Sequence, residues 1–187
     1  MSQLAGATKV LSVSARRMAG TALLVFIAAP TPAAALEITG GVNVGGFLAG
    51  AAPHLAVSPN AGISWPAESG IMLAAHDAVS ILPPMNGTGL GIYNHTTIAI
   101  GYAGENLNLS AGPSLAIYSM ASCGRFFCGR VVGLAPGANG RADLFFTGPL
   151  GVALSVNVDW VSGSSLVLPG GVAASVVAGP VLRWNSK

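Results

Sequence analysis

Val152-Ala153-Leu154-Ser155-Val156-Asn157-Val158-Asp159-Trp160 alternates without a break. Every even position is apolar, ending in an aromatic, and every odd position is small or polar. A side-chain period of two is the mark of a β-strand with two different faces. Here the apolar face carries the bulk, and the opposite face is small and wet. The same pattern recurs along the chain, so the stretch is one strand of an all-β sheet.

The composition is unusual for a water-soluble sheet. Charged residues make up 7% of the 187-residue chain, against about 25% in ordinary soluble domains. A soluble surface so poor in charge tends to aggregate. The 26 glycines argue against long helices. The formal net charge is +2, but Lys9, Arg16 and Arg17 lie in an N-terminal leader. Without them five basic residues stand against six acidic ones, so nucleic acid is not an expected partner.

The leader has the layout of a secretory signal. A positive region ends at Arg16-Arg17, an apolar run spans about Met18 to Ala29, and Ala33-Ala34-Ala35 offers a small-residue cleavage site. Residues 1–35 are therefore read as a signal peptide and 36–187 as one domain. The apolar run is shorter than the roughly 20 residues a spanning helix needs. In an exported chain, Cys123 and Cys128 are expected to form a local disulfide.

Alternation predicts eight strands: Glu37–Phe47, His54–Trp65, Gly70–Ser80, His95–Tyr102, Leu107–Tyr118, Gly140–Phe146, Leu150–Trp160 and Gly171–Trp184. His54–Trp65 is the cleanest after the first. Leu55, Val57, Pro59, Ala61, Ile63 and Trp65 face one way; His54, Ala56, Ser58, Asn60, Gly62 and Ser64 face the other. Most of these strands have about the 9–11 residues that a tilted strand needs to cross a bilayer. The connections 66–69, 103–106 and 147–149 read as short turns, and 48–53, 81–94, 119–139 and 161–170 as longer loops. Arg130–Leu134 is assigned to the third of these loops, as a hairpin extending past the membrane, with a turn at Pro136-Gly137-Ala138-Asn139. Pro59, Pro113 and Pro180 fall inside predicted strands, where a closed sheet has no free edge for a missing donor. Ala111-Gly112-Pro113 and Ala178-Gly179-Pro180 suggest two strands of like design.

Aromatics fall at strand ends. Trp65, Tyr102, Phe146 and Trp184 lie next to the short turns, and Tyr118 and Trp160 at the other end, as two interfacial girdles would. Glu37, Arg141, Asp143, Asp159 and Arg183 fall on the polar faces. On a lipid-facing side an Arg at the membrane midplane would cost about 2–4 kcal/mol, so these charges are expected inside, forming a polar plug.

No catalytic constellation emerges. His54, His76 and His95 have no metal-ligand spacing, and adjacent His76 and Asp77 point to opposite faces of a strand. There is no Gly-x-Ser-x-Gly elbow. Gly40–Gly46 lacks the Lys and following helix of a phosphate loop and is better explained by sheet curvature. Three Asn-x-Thr/Ser triplets, at Asn86, Asn94 and Asn108, match a glycosylation pattern that is frequent by chance. No enzyme activity, cofactor or metal is expected.

Signal, alternation, loop asymmetry and the near-terminal Trp184 together resemble the small eight-stranded outer-membrane barrels of bacteria. The resemblance covers 36–187 and is architectural, without a family motif. It implies an antiparallel up-and-down transmembrane β-barrel in the outer membrane, with the lipid bilayer as its first partner. The expected role is that of a structural or surface-interaction, adhesin-like protein whose loops meet a surface ligand or a host or cell partner. Arg125, Phe126 and Phe127, between the cysteines, are the candidate contact, since exposed aromatics with Arg favour binding. The alternatives are a narrow outer-membrane pore and a secreted or periplasmic soluble β-sandwich or ligand-binding barrel with its apolar face turned inward.

Overall fold

In the three-dimensional structure, a computed structural model, the stretch 152–160 keeps its two faces. Val152, Leu154, Val156, Val158 and Trp160 are 40–60% exposed, while Ala153, Ser155, Asn157 and Asp159 are buried. The structure describes residues 36–49, 52–84, 88–123, 128–165 and 168–185. They form eight strands: β1 (Glu37–Ala49), β2 (Ala52–Pro66), β3 (Ile71–Leu82), β4 (Thr88–Ala103), β5 (Leu107–Cys123), β6 (Cys128–Thr147), β7 (Leu150–Ser165) and β8 (Leu168–Asn185). Each pairs antiparallel with the next, and β1 pairs with β8 from Glu37↔Asn185 to Ala49↔Ala173, so the sheet is a closed barrel. The signal-peptide assignment lies outside the described residues.

The apolar faces point outward all the way round. Ile38, Leu55, Leu73, Ile98, Leu115, Leu144, Leu154 and Val176, one from each strand, are exposed. The inward positions are polar in the lower and middle barrel: Thr39, Asn43, Ser58, Ser64, Thr97, Asn108, Ser114, Asn139, Asn157 and Ser175 are buried. A greasy outside around a polar inside is the inversion expected of a barrel built for lipid. The inward-packed soluble alternative is thereby overturned.

The strands are longer than alternation alone predicted. Most of 48–53, 81–94, 119–139 and 161–170 is strand rather than loop. β5 and β6 pair continuously from Leu107↔Leu144 to Cys123↔Cys128. Arg130–Leu134 belongs to β6 itself, and Pro136–Asn139 is strand, not turn. The segment Gly129–Gly137 is rich in Gly, Ala and Pro, so its side chains mark the faces weakly, while the backbone of β5 supplies the pairing. The expected asymmetry therefore resides in strand length: β6, with 20 residues, has about twice the 9–11 that a bilayer requires.

The in-strand prolines sit where one ladder skips. The β2–β3 register omits Ser58 and Pro59, the β4–β5 register omits Gly112 and Pro113, and the β1–β8 register omits Gly179 and Pro180. Each proline turns its missing N–H toward a gap and keeps the pairing on its other side. The repeated Gly-Pro has a further cause. A Cβ on Gly112 would strike the carbonyl oxygen of Ile98, and one on Gly179 that of Val42. Backbones approach closely at both places.

Tyr102, Phe146 and Trp184 are exposed near the turn end and Trp160 toward the opposite end. Tyr118 is a correction: it is 1% exposed and faces inward, in phase with Ser114 and Ala116.

Detergent-extracted protein is expected to run with a different gel mobility unboiled than boiled, as a closed barrel resists unfolding by detergent alone. Gly179→Val is expected to destabilise it by about 1–3 kcal/mol through overpacking, read from denaturant unfolding in lipid vesicles. Unchanged stability would refute the close approach at Val42.

Candidate functional site: the barrel interior and its loop end

An eight-stranded barrel has an interior just wide enough for side chains, and this one is filled in layers. Strands four positions apart face each other across the full width. At the turn end, Asn108 Nδ2 of β5 donates to Glu37 Oε1 of β1 at 2.6 Å. Arg183 lies 3.9 Å from Glu37 Oε2, donates to the Glu105 carbonyl at 3.1 Å and stacks 4.0 Å over the Phe145 ring. One layer up, Arg141 Nε of β6 donates to Asp143 at 2.9 Å, and Nη1 reaches across to Asn60 Oδ1 of β2 at 2.9 Å. Arg141 and Asp143 share an inward face because they are two residues apart on one strand.

Above these, Asn139 Nδ2 donates to Asn157 Oδ1 at 2.6 Å and to Ser155 Oγ at 2.8 Å, and Asn157 Nδ2 donates to Ser175 Oγ at 3.0 Å. This ladder ties β6, β7 and β8 together from inside. Next, His95 Nε2 meets Asp159 Oδ2 at 2.6 Å, and Ser114 Oγ donates to Asp159 Oδ1 at 3.2 Å. The internal cavity between His76, His95, Asn139 and Arg141 measures about 10 Å³, the size of a single water.

Toward the loop end the lining turns apolar. Phe47, Leu82, Tyr93, Tyr118, Met120 and Val161 form one buried cluster with several alanines. Tyr93 stacks on Tyr118 at 5.6 Å between ring centroids and tilts against Phe47 at 4.9 Å. Three rings from β1, β4 and β5 thus pack together inside the barrel above the polar layers. Such pairs add to plain burial.

The predicted inward charges Glu37, Arg141, Asp143, Asp159 and Arg183 are all inside, and the structure joins them into pairs. The three histidines do not converge: His76 meets Ser110 at 3.2 Å, His95 meets Asp159, and His54 is buried nearer the loop end. Among the described residues no group of three His, Cys, Asp or Glu could hold a metal. Sequence reading missed the Ser114–Asp159–His95 cluster, because the three lie on different strands and only the closed sheet brings them together. Its order differs from a hydrolase relay. The carboxylate sits in the middle, so the serine donates to Asp159 rather than to the histidine that would have to activate it.

Register places Cys123 directly opposite Cys128. Their side chains, and Arg125, Phe126 and Phe127, lie outside the described residues. Chemically, the interior can hold a rigid, hydrogen-bonded core, and the loop end can present a long β-hairpin to the outside.

Solved structures share this fold. Neisserial surface protein A matches at 8% identity, covering 80% of this chain and 99% of that one, with a TM-score of 0.55. Ail, the attachment invasion locus protein of Yersinia pestis, matches in its complex with the heparin analogue sucrose octasulfate, at 8% identity over 81% of this chain and 99% of that one, with a TM-score of 0.56. No protein-family model and no curated protein matches the chain.

Arg141→Ala would leave Asp143 buried without its cation and is expected to cost about 3–5 kcal/mol, while replacing both by Leu should cost much less. Denaturant unfolding in lipid vesicles measures both. Equal costs would mean that the pair is well solvated in the lumen.

Proposed function

We propose that this chain is an exported bacterial outer-membrane barrel that serves as a structural and surface-interaction protein, non-enzymatic and sealed to solutes. The observation that carries this reading is the filled interior. Hydrogen bonds span the lumen at Glu37–Asn108 and Asn60–Arg141, and the Phe47–Tyr93–Tyr118 rings lie above them. A barrel so closed offers its outer ends, not its axis, as the working surface. The outward apolar band and the shared fold support the outer membrane as its location.

The contact is proposed at the β5–β6 hairpin, the longest pair of consecutive strands, pinned by a Cys123–Cys128 disulfide across its last register pair. Arg125, Phe126 and Phe127 lie between these two cysteines in the sequence. Charge is distributed unevenly between the ends. Segments 48–53, 81–94 and 161–170 contain no charged residue, and 119–139 contains only Arg125 and Arg130, whereas Glu68 and Glu105 lie in the turns at the opposite end. A sulfated polysaccharide is the first ligand class this arrangement suits: two cations for the anion, two aromatics for sugar faces.

Purified protein in detergent micelles is expected to bind immobilised heparin, and the double substitution Phe126→Ser, Phe127→Ser to weaken that binding at least tenfold. Unchanged binding would remove the hairpin tip from the interaction. In planar bilayers the protein is expected to give no steady conductance; a steady ion current would favour the narrow-pore reading instead.

A further inference from the structure

His95 Nδ1, Asn139 Oδ1 and Arg141 Nη2 are buried and have no hydrogen-bond partner among the described residues. All three residues line the internal cavity of about 10 Å³. They come from β4 and β6, and each is more than nine-tenths buried. A buried polar atom left unpaired is costly, so such a group calls for something between its members.

The bonds these side chains already make fix what each can still do. Arg141 uses Nε on Asp143 and Nη1 on Asn60 Oδ1, so Nη2 remains, and it can only donate. Asn139 gives its amide hydrogens to Ser155 Oγ and Asn157 Oδ1, which leaves its Oδ1 to accept. His95 Nε2 donates to Asp159 Oδ2, so Nδ1 of the neutral ring accepts. His76 also lines the cavity, but its Nδ1 has a neighbour of its own: a Cβ on Gly62 would meet both that atom and Thr39 Oγ1.

One donor and two acceptors select the occupant. A metal ion offers Arg141 no acceptor. A chloride accepts from Arg141 but gives nothing to Asn139 or His95, and the carboxylates of Asp143 and Asp159 are bonded to the same residues. Water does both, and a polar cavity of this volume with two to four partners holds one.

We propose that this cavity is the binding site of one internal water molecule, which accepts from Arg141 Nη2 and donates to Asn139 Oδ1 and His95 Nδ1. It joins the Arg141–Asp143 pair to the Ser114–Asp159–His95 cluster, and the Asn139–Asn157–Ser175 ladder attaches to the same molecule. Separate polar layers become one network across the lumen. The inference rests on the sealed lumen proposed above, in which an enclosed water exchanges slowly with the bulk.

The test is oxygen-17 relaxation dispersion, which counts slowly exchanging internal waters, on the full-length protein in detergent micelles. Gel mobility before and after boiling checks the fold. Ala78 lines the cavity as well, and Ala78→Val adds two methyl groups there. The variant is expected to lose one slow water and to shift the nitrogen-15 resonance of His95 Nδ1, the acceptor deprived of its donor. Leu154→Val, on the outward face of β7, is expected to change neither. A wild type without a slow water, or an Ala78→Val protein that keeps both its count and its His95 resonance, overturns the site. Wild-type crystals grown with bromide decide the matter even if Ala78→Val does not fold. A water peak within hydrogen-bond distance of Arg141 Nη2, Asn139 Oδ1 and His95 Nδ1 supports the proposal, whereas anomalous bromide density or no peak there overturns it. Steady conductance in planar bilayers sinks the sealed-lumen reading, but a non-conducting barrel without the slow water sinks only this site.

Discussion

Inside a bilayer there is no water for an unpaired backbone N–H or C=O, so a sheet placed there must close on itself. The β1–β8 ladder performs that closure here. The rest of the structure answers to it. Eight antiparallel strands bring the chain back to the end where it started, and no edge is left for a proline to occupy. Pro59, Pro113 and Pro180 are accommodated differently, each at a local skip in one ladder with the opposite ladder kept. Gly112 and Gly179 precede two of them because the neighbouring strand leaves no room for a side chain.

Closure with eight strands also dictates the interior. The lumen is narrow enough that side chains from opposite walls touch, so every inward charge has to be balanced within reach. Arg141 with Asp143 and Arg183 with Glu37 meet that requirement, and Asp159 is held by hydrogen bonds with His95 and Ser114. The two Arg–carboxylate pairs lie toward the turns, and the largest aromatic cluster, Phe47, Tyr93 and Tyr118, lies toward the loops. On the outer surface of the described residues, the β5–β6 hairpin and Asp77 both depart from a plain apolar cylinder.

Both departures come from the same economy. A barrel wall needs nothing outward but apolar bulk, so a carboxylate at mid-wall or a strand twice the spanning length is not required for folding.

How much was visible beforehand follows from what each signal measures. Side-chain alternation is a property of consecutive residues, so the eight strands, the outward row Leu55 to Trp65 and the inward charges could be read from the chain alone. Strand ends could not. In Gly129–Gly137 the side chains are too small and mixed to mark two faces, and only the facing backbone of β5 makes that segment a strand. Tyr118 shows the other limit: its chemistry suggested a girdle, but its phase with Ser114 and Ala116 put it inside, where Tyr93 and Phe47 from distant strands receive it. The sequence by itself determined which face of each strand is apolar, because that depends on a period of two. Only the tertiary structure decided which charges meet across the lumen, that Asp159 gathers Ser114 and His95, and that Asp77 looks into an apolar surround. Those facts depend on how eight strands are staggered around a closed ring, a relation between residues far apart in the chain that no local pattern carries.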